Sequence, residues 1–100
     1  MMVKKKVYKM SLEEWNQLDT LKFRNTFEDY RYVKLLKILP SGNLKVAERY
    51  MVDSGFMKYK VFIAKLYGNS YVADYYWMGD YNSFNNMWII SKEDVDVRRK

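Results

Sequence analysis

The sequence predicts an α+β fold in which an antiparallel sheet of about five to six strands carries one N-terminal amphipathic helix packed on it. Three observations support this fold class. A helix-capping motif occurs near the N-terminus, alternating apolar and polar runs fill much of the remainder, and the four glycines each stand at a predicted turn. A chain of 100 residues that is 49% hydrophobic fits a single domain over residues 1–100, with basic tails at 1–6 and 98–100.

The N-terminal segment contains the helix signal. Ser11 and Glu14 form a capping box, in which the two side chains satisfy backbone N–H groups of the first turn. Apolar residues at helical spacing follow, namely Leu12, Trp15 and Leu18. We therefore expect a short strand over residues 3–9 and a helix over about 12–21.

The middle of the chain allows two interpretations. Residues 22–39 begin with aromatic residues at helical spacing, but 30–39 is β-branched and aromatic enough for a strand. A Pro-Ser-Gly-Asn turn follows, and residues 44–52 then alternate between apolar and polar. We expect 30–39 and 44–52 to form a hairpin. The alternative is a helix over residues 43–53 that ends at a glycine.

The C-terminal half contains the strongest strand prediction, residues 57–67, because both faces are apolar in the middle, as in a central strand. A Gly-Asn-Ser turn joins it to a hairpin partner over 71–78. After a polar loop over 79–86, residues 87–90 form a last short strand, and Ser91 caps one final helical turn.

The residue types present exclude several kinds of chemistry. The chain has no Cys and no His, so it lacks disulfides, thiol and imidazole catalysis and most zinc sites. The acidic run of Glu93, Asp94 and Asp96 lacks the spacing of a calcium loop and is expected to be a solvated turn. We predict no catalytic residue, no metal site and no cofactor. RNA cleavage by Lys, Arg and Tyr side chains is not excluded, because it needs neither Cys nor His.

The expected location follows from segments that the chain lacks. No apolar stretch is long enough to span a membrane, and the N-terminal lysines precede no apolar secretion signal. A cysteine-free chain suits a reducing compartment, so we expect a cytoplasmic protein with no membrane partner. The frequent Lys, Tyr, Asn and Ile resemble the composition of proteins from low-GC bacteria and their phages. A phage protein would act in the host cell cytoplasm.

The positive charge is unevenly placed along the chain. Lys4–Lys6 and Arg98–Lys100 contribute six of the 18 Lys and Arg residues, which leaves 12 basic against 12 acidic residues between them. Within that body, residues 22–65 carry a net charge of +6 and residues 66–97 a net charge of −4. We therefore expect one basic and one separate acidic part of the surface.

The acidic part is also rich in aromatic residues. Both faces of the predicted strand 71–78 carry rings, so some rings should be exposed, and exposed Tyr and Trp favour protein interfaces. The alternative is that these rings fill a small core. The predicted protein-binding surface comprises Tyr67, Tyr71, Tyr75, Tyr76, Trp77 and Tyr81. An exposed aromatic edge strand is also compatible with a homodimer.

Direct binding of DNA or RNA is the alternative function, since basic residues attract phosphates. Lys45 and Arg49 share one face of a predicted strand, and Lys58 and Lys60 share a face of another. The predicted nucleic-acid surface comprises Lys34, Lys37, Lys45, Arg49, Lys58 and Lys60. Nucleic-acid binding favours aromatic residues interleaved with Lys and Arg. The separation of the two along this chain favours a protein partner.

A third class of function comes from a resemblance. In its size and in a tryptophan-bearing early helix followed by strands, the chain resembles the RelE-like ribonuclease toxins. That resemblance implies RNA cleavage by Lys, Arg and Tyr side chains on a helix-plus-sheet scaffold. No motif can be matched residue by residue, so the resemblance assigns no catalytic residue.

Together these observations predict a small non-catalytic binding protein of the kind that phages and mobile elements encode. It would bind a protein or nucleoprotein complex stoichiometrically, as an anti-CRISPR-like inhibitor of a host nucleic-acid-processing complex. A nucleic-acid-binding module is the first alternative, and a RelE-like RNA-cleaving toxin is the second.

Overall fold

The computed structural model describes residues 6–25, 28–73 and 87–98. Over these ranges the chain forms seven strands and two short helices, and neither helix is long and apolar enough to cross a membrane. In chain order the elements are β1 (Val7–Ser11), α1 (Leu12–Gln17), β2 (Thr20–Arg24), β3 (Tyr30–Ile38), β4 (Leu44–Asp53), β5 (Phe56–Tyr67), β6 (Ser70–Ala73), β7 (Trp88–Ser91) and α2 (Lys92–Arg98).

Six of the strands close into an antiparallel barrel. The sheet order is β1-β5-β4-β3-β2-β7-β6, and β6 pairs again with β5, so the ring runs from β5 round to β6 and back. β5 makes this closure, because its 12 residues pair with β4 along one edge and with both β1 and β6 along the other. β1 pairs beside the first half of β5, outside the ring. Closure gives every strand of the ring a paired neighbour on both sides, with the shortest pairing between β2 and β7.

The predicted α+β fold, an antiparallel sheet with one N-terminal helix packed on it, is therefore wrong, because the described chain is mostly strand and its sheet closes into a barrel. α1 is six residues long and ends at Gln17, where the prediction continued a helix to about residue 21. Leu21 instead lies in β2, and its side chain and that of Phe23 are fully buried inside the barrel. The spacing of Leu18 and Leu21 fits a helix, but the alternation of Leu21 and Phe23 fits a strand, and barrel closure buries the face that these two share.

The hairpin predicted for the middle of the chain is confirmed, and the alternative helix over 43–53 is wrong, because β3 and β4 are paired strands. β5, its partner β6, and β7 lie where the sequence predicts them. Ser91 caps α2 as expected, although the helix is longer than one turn. The predicted strand 71–78 is described as far as Ala73, and the loop over 79–86 lies outside the described residues.

The first helix begins as the sequence predicts and covers part of the outer wall of the barrel. The Ser11 hydroxyl accepts the backbone N–H of Glu14 at 3.1 Å. Trp15 is the buried residue of the helix, and it packs on the outward side of β4 and β5 against Ala47 and Met57. This small outer cluster is separate from the barrel core.

The barrel core contains inward side chains from every strand of the ring. They are Leu21, Phe23, Val33, Leu35, Leu44, Val46, Phe62, Ala64, Tyr71, Ala73, Trp88 and Ile90. In the described register β2 meets β7 at one pair, Arg24 and Ile89. α2 lies beside this short junction, since residues of β2 and α2 line one cleft, and it adds the fully buried Val95 to the core. α2 therefore completes the barrel wall where strand pairing is shortest.

A three-stranded extension projects beyond the ring. It consists of β1, residues 49–53 of β4 and residues 56–60 of β5, which pair with one another and not with β3 or β6. A β-bulge between Arg49 and Met51 bends β4 at its base. At its tip Ser54 and Gly55 connect the strands with φ values of 51° and 81°, as the two-residue type I′ turn requires.

Val95→Ala should lower the free energy of unfolding by about 2 kcal/mol, because it removes two buried methyl groups from the core at the shortest junction of the ring. Val97→Ala is the matched control, since Val97 lies on the same helix but is 61% exposed, and it should change stability by less than about 0.5 kcal/mol. Urea unfolding of both variants measures the difference. Equal losses would contradict the role assigned to α2.

Candidate nucleic-acid interface

The outward side of β2, β3 and β4 carries positive charge alone. The register aligns Thr20 with Lys34 and Lys34 with Ala47, which identifies the residues that share this side. The acidic residues of these strands, Glu48 and Asp53, lie on the other side. We call the outward side the basic face, and its cations and tyrosines are Lys22, Arg24, Lys34, Lys37, Lys45, Arg49, Tyr30 and Tyr32.

Two tyrosines lie within the basic face, each opposite a cation of β2. The register pairs Arg24 with Tyr30 and Lys22 with Tyr32. Tyr30 is 52% exposed and Tyr32 is 61% exposed. The Lys22 ammonium lies 3.8 Å from the centre of the Tyr30 ring, and the Arg24 guanidinium carbon lies 5.9 Å from it. Aromatic and basic residues are therefore interleaved here, as they are on surfaces that bind nucleic acids.

Two lysines of the basic face oppose each other directly. Lys37 and Lys45 are cross-strand partners, and a bulge between Leu35 and Lys37 lets Lys37 face outward. Like charges in directly opposite positions destabilise a sheet. Within the described ranges neither lysine forms an ion pair. The stability of the fold does not explain this pair.

Lys34 has a structural role within the basic face. Its ammonium donates to the Leu18 carbonyl oxygen at 3.2 Å and to the Thr20 hydroxyl at 2.8 Å. It also lies 6.0 Å from the centre of the Trp15 ring. These contacts join the end of α1 to β2 and β3. Lys34 is therefore less available to a ligand than the exposed Lys37.

The two helices flank the basic face. α1 lies over Ala47, which faces outward between Lys45 and Arg49, so it covers part of this face. On the β2 side, Lys22 and Arg24 share a cleft of about 460 Å³ with α2, which contributes Glu93 and Asp94 to the lining. The basic face is thus bordered by α2, and the charged α2 side chains that line the cleft are mixed, because Arg98 lines it together with Glu93 and Asp94.

The structure divides the predicted nucleic-acid residues between two surfaces. Four of them belong to the basic face, namely Lys34, Lys37, Lys45 and Arg49. Lys58 and Lys60 lie on the opposite side of the sheet, in the three-stranded extension. There Lys58 binds Asp53 at 3.0 Å, which holds the pKa of the Asp53 carboxyl below its usual range. The Lys60 ammonium lies 5.0 Å from the centre of the Tyr50 ring.

Arg31 and Glu48 form an ion pair at the end of the barrel next to the extension. Arg31 is the register partner of the inward Phe23 and therefore points inward, where its Nη1 donates to Glu48 Oε2 at 2.7 Å. Its guanidinium also lies 5.5 Å from the centre of the Trp88 ring. Burial raises the pKa of the Glu48 carboxyl, and Arg31 and then Lys60 partly offset that effect.

The aromatic residues predicted to bind a protein are separated where the structure describes them. Tyr67 is 61% exposed at the end of β5. Tyr71 is 2% exposed and belongs to the barrel core, so it cannot contact a partner at the surface. The remaining four lie outside the described residues, namely Tyr75, Tyr76, Trp77 and Tyr81.

Sequence reasoning missed the part of the basic face that β2 and the first half of β3 supply. The missed residues are Lys22, Arg24, Tyr30 and Tyr32. Their signal is present in the alternation of Leu-Lys-Phe-Arg over 21–24 and of Tyr-Arg-Tyr over 30–32. The helix predicted over 12–21 and the two interpretations of 22–39 concealed it.

The groups on the basic face are ammonium, guanidinium and phenol side chains, which can hold phosphates and stack on rings. In the part of the chain that the structure describes, no three His, Cys, Asp or Glu side chains are grouped to hold a metal ion. No protein-family profile matches the chain, and neither the curated proteins nor the solved structures include a significant match to it. Function is therefore argued from the basic face itself.

Arg31→Gln should raise the pKa of Glu48 further, because the guanidinium lowers that pKa by its charge and by its hydrogen bond. Burial already holds the folded pKa above the unfolded one, so the ionised carboxylate costs stability, and this cost appears as the pH rises through the folded pKa. The variant should match the original protein in acid and be about 1–2 kcal/mol less stable at neutral pH.

An NMR titration of the Glu48 carboxyl and urea unfolding at several pH values measure both effects. Lys60→Gln is the control, since Lys60 has the smallest influence on Glu48 among the named causes. If Lys60→Gln shifts the pKa of Glu48 as far as Arg31→Gln does, the ion pair does not control that group.

Proposed function

We propose that this protein is a non-catalytic nucleic-acid-binding protein that holds phosphates and bases on its basic face. One observation carries the proposal. The charged side chains on the outward side of β2, β3 and β4 are all positive, and two half-exposed tyrosines lie among them. Cations combined with stacking rings suit nucleic acids. The protein acts by stoichiometric binding, and its proposed cytoplasmic location gives it access to DNA and RNA.

The sign of the charge supports a polyanionic partner. Surfaces that serve solubility alone mix positive and negative residues. Here Lys37 and Lys45 repel each other across β3 and β4, and no acidic residue shares their side of these strands. A phosphate bound between the two ammonium groups would relieve that repulsion and release counterions.

Inhibition of a host nucleic-acid-processing complex, in the manner of an anti-CRISPR-like phage protein, stays a prediction. The structure describes two of the residues predicted to contact such a complex. Tyr67 is exposed, and Tyr71 lies in the core. No described contact favours this function over direct binding of nucleic acid. Affinity capture from the native host, with and without nuclease treatment, separates the two, because a protein partner is retained after the nucleic acid is digested.

RNA cleavage of the RelE-like kind also stays a prediction. It requires that expression of the protein arrests growth and that cellular RNA is cut. Binding of RNA without cleavage, in cells that grow normally, would contradict the toxin hypothesis and is the result that the proposed function expects.

Lys37→Gln combined with Lys45→Gln should weaken binding to an oligonucleotide about tenfold and reduce the slope of log affinity against log salt by about 1–2, because two phosphate contacts are lost. The same variant should be as stable as the original protein, or more stable by up to about 0.5 kcal/mol, because the cross-strand repulsion is gone. Fluorescence anisotropy over a range of salt concentrations and urea unfolding measure the two effects.

Lys58→Gln is the matched control, since Lys58 lies on the opposite side of the sheet and is paired with Asp53. It should leave the affinity and its salt dependence nearly unchanged. The proposal fails if no DNA or RNA binds at about 50 mM salt, or if the double variant binds as tightly as the original protein.

A further inference from the structure

Tyr30 and Tyr32 have the geometry of a platform for stacking. They are two residues apart on one strand, so their Cα atoms lie about 7 Å apart and their side chains share one face. They are 52% and 61% exposed. Burying a tyrosine ring stabilises a fold, so two neighbouring rings left in water are not explained by packing.

The cations beside these rings leave room for a base. The Lys22 ammonium lies 3.8 Å from the centre of the Tyr30 ring, and the side chain remains 52% exposed, which leaves ring surface for a base. The Arg24 guanidinium, 5.9 Å from the same ring centre, is a planar group that also stacks on unpaired bases. Together, the Tyr30 ring and the two cations beside it can hold one base.

The shape of the described part does not fit the grooves of a duplex. Base pairs are read by an element that enters a groove, such as a helix or a two-stranded ribbon. The cations of the basic face lie on the wall of the barrel, with α1 and α2 packed beside them, and not on a helix or a two-stranded ribbon. The β4–β5 hairpin does project, but β1 widens it to three strands and Asp53 lies beside its tip.

We propose that the basic face binds single-stranded nucleic acid, with unpaired bases stacked on Tyr30 and Tyr32. This inference rests on the proposed function and specifies its ligand. The cations available to the ligand's phosphates are Lys22 and Arg24 beside the rings and Lys37 and Lys45 further along the face. From Tyr32 to Lys37 the strand spans about 15 Å, and Lys34, which the end of α1 engages, lies between them.

The test compares three labelled oligomers of about 12 nucleotides, which is within the usual site size of such surfaces. They are a mixed-sequence single strand, the corresponding duplex, and an abasic strand that has the phosphates but no bases. The single strand should bind at least about tenfold more tightly than the other two, because it alone offers unpaired bases. Fluorescence anisotropy gives the three affinities.

Tyr30→Ala combined with Tyr32→Ala should weaken binding of the single strand by about 10- to 100-fold and leave the affinity for the abasic strand unchanged. Phenylalanine at both positions should keep the affinity, since it keeps the rings. Tyr67→Ala is the control, because Tyr67 is as exposed as Tyr32 but lies at the end of β5, off the basic face. It should change neither affinity, and urea unfolding checks that every variant folds.

Two kinds of failure can be told apart. If the duplex and the abasic strand bind as tightly as the single strand, and the alanine variant loses nothing, stacking is wrong while nucleic-acid binding stands. If none of the three oligomers binds at low salt, the proposed function is wrong, and the single-strand inference fails with it.

Discussion

The pairing of β5 along both of its edges is the constraint on which the remainder of the structure depends. Because β5 joins β4 on one side and β6 on the other, every strand of the ring acquires a fixed inward and outward face. The inward positions fill with apolar side chains. The outward positions are then free to carry charge, and the charged side chains that β2, β3 and β4 place there are all cations, with two tyrosines among them.

The sequence predicts most of the individual elements, because their signals are local. The capping box of Ser11 and Glu14, the alternation in β4 and the turn at Ser54 and Gly55 each involve neighbouring residues, and each has its expected conformation. Closure of the barrel, in contrast, depends on strands that are distant in sequence. It requires β5 to meet β6 at one end and β1 at the other, and nothing within residues 57–67 encodes which strands will share that edge.

Because strand pairing is not encoded locally, only half of the basic face could be predicted from the sequence. Alternation shows that Lys45 and Arg49 share a face, but it cannot show that Lys58 and Lys60 lie across the sheet from them. The tyrosines of the basic face lie on a different strand from Lys22 and Arg24 and come beside these cations through the pairing of β2 with β3. Charge and aromatic residues that look separate along a chain can therefore be interleaved on a barrel.

The bulge in β3 sets a limit on how this strand can change in length. By strict alternation Lys37 would point the same way as Leu35, into the barrel, and the extra residue at Leu36 returns it to the outside. Loss of one residue at the bulge would restore plain alternation and keep Lys37 outward and Ile38 inward, because the bulge already holds one extra residue. We therefore expect single-residue deletions to be tolerated at this bulge and in the connecting loops, and not in the regular parts of β3, where they would exchange inside and outside.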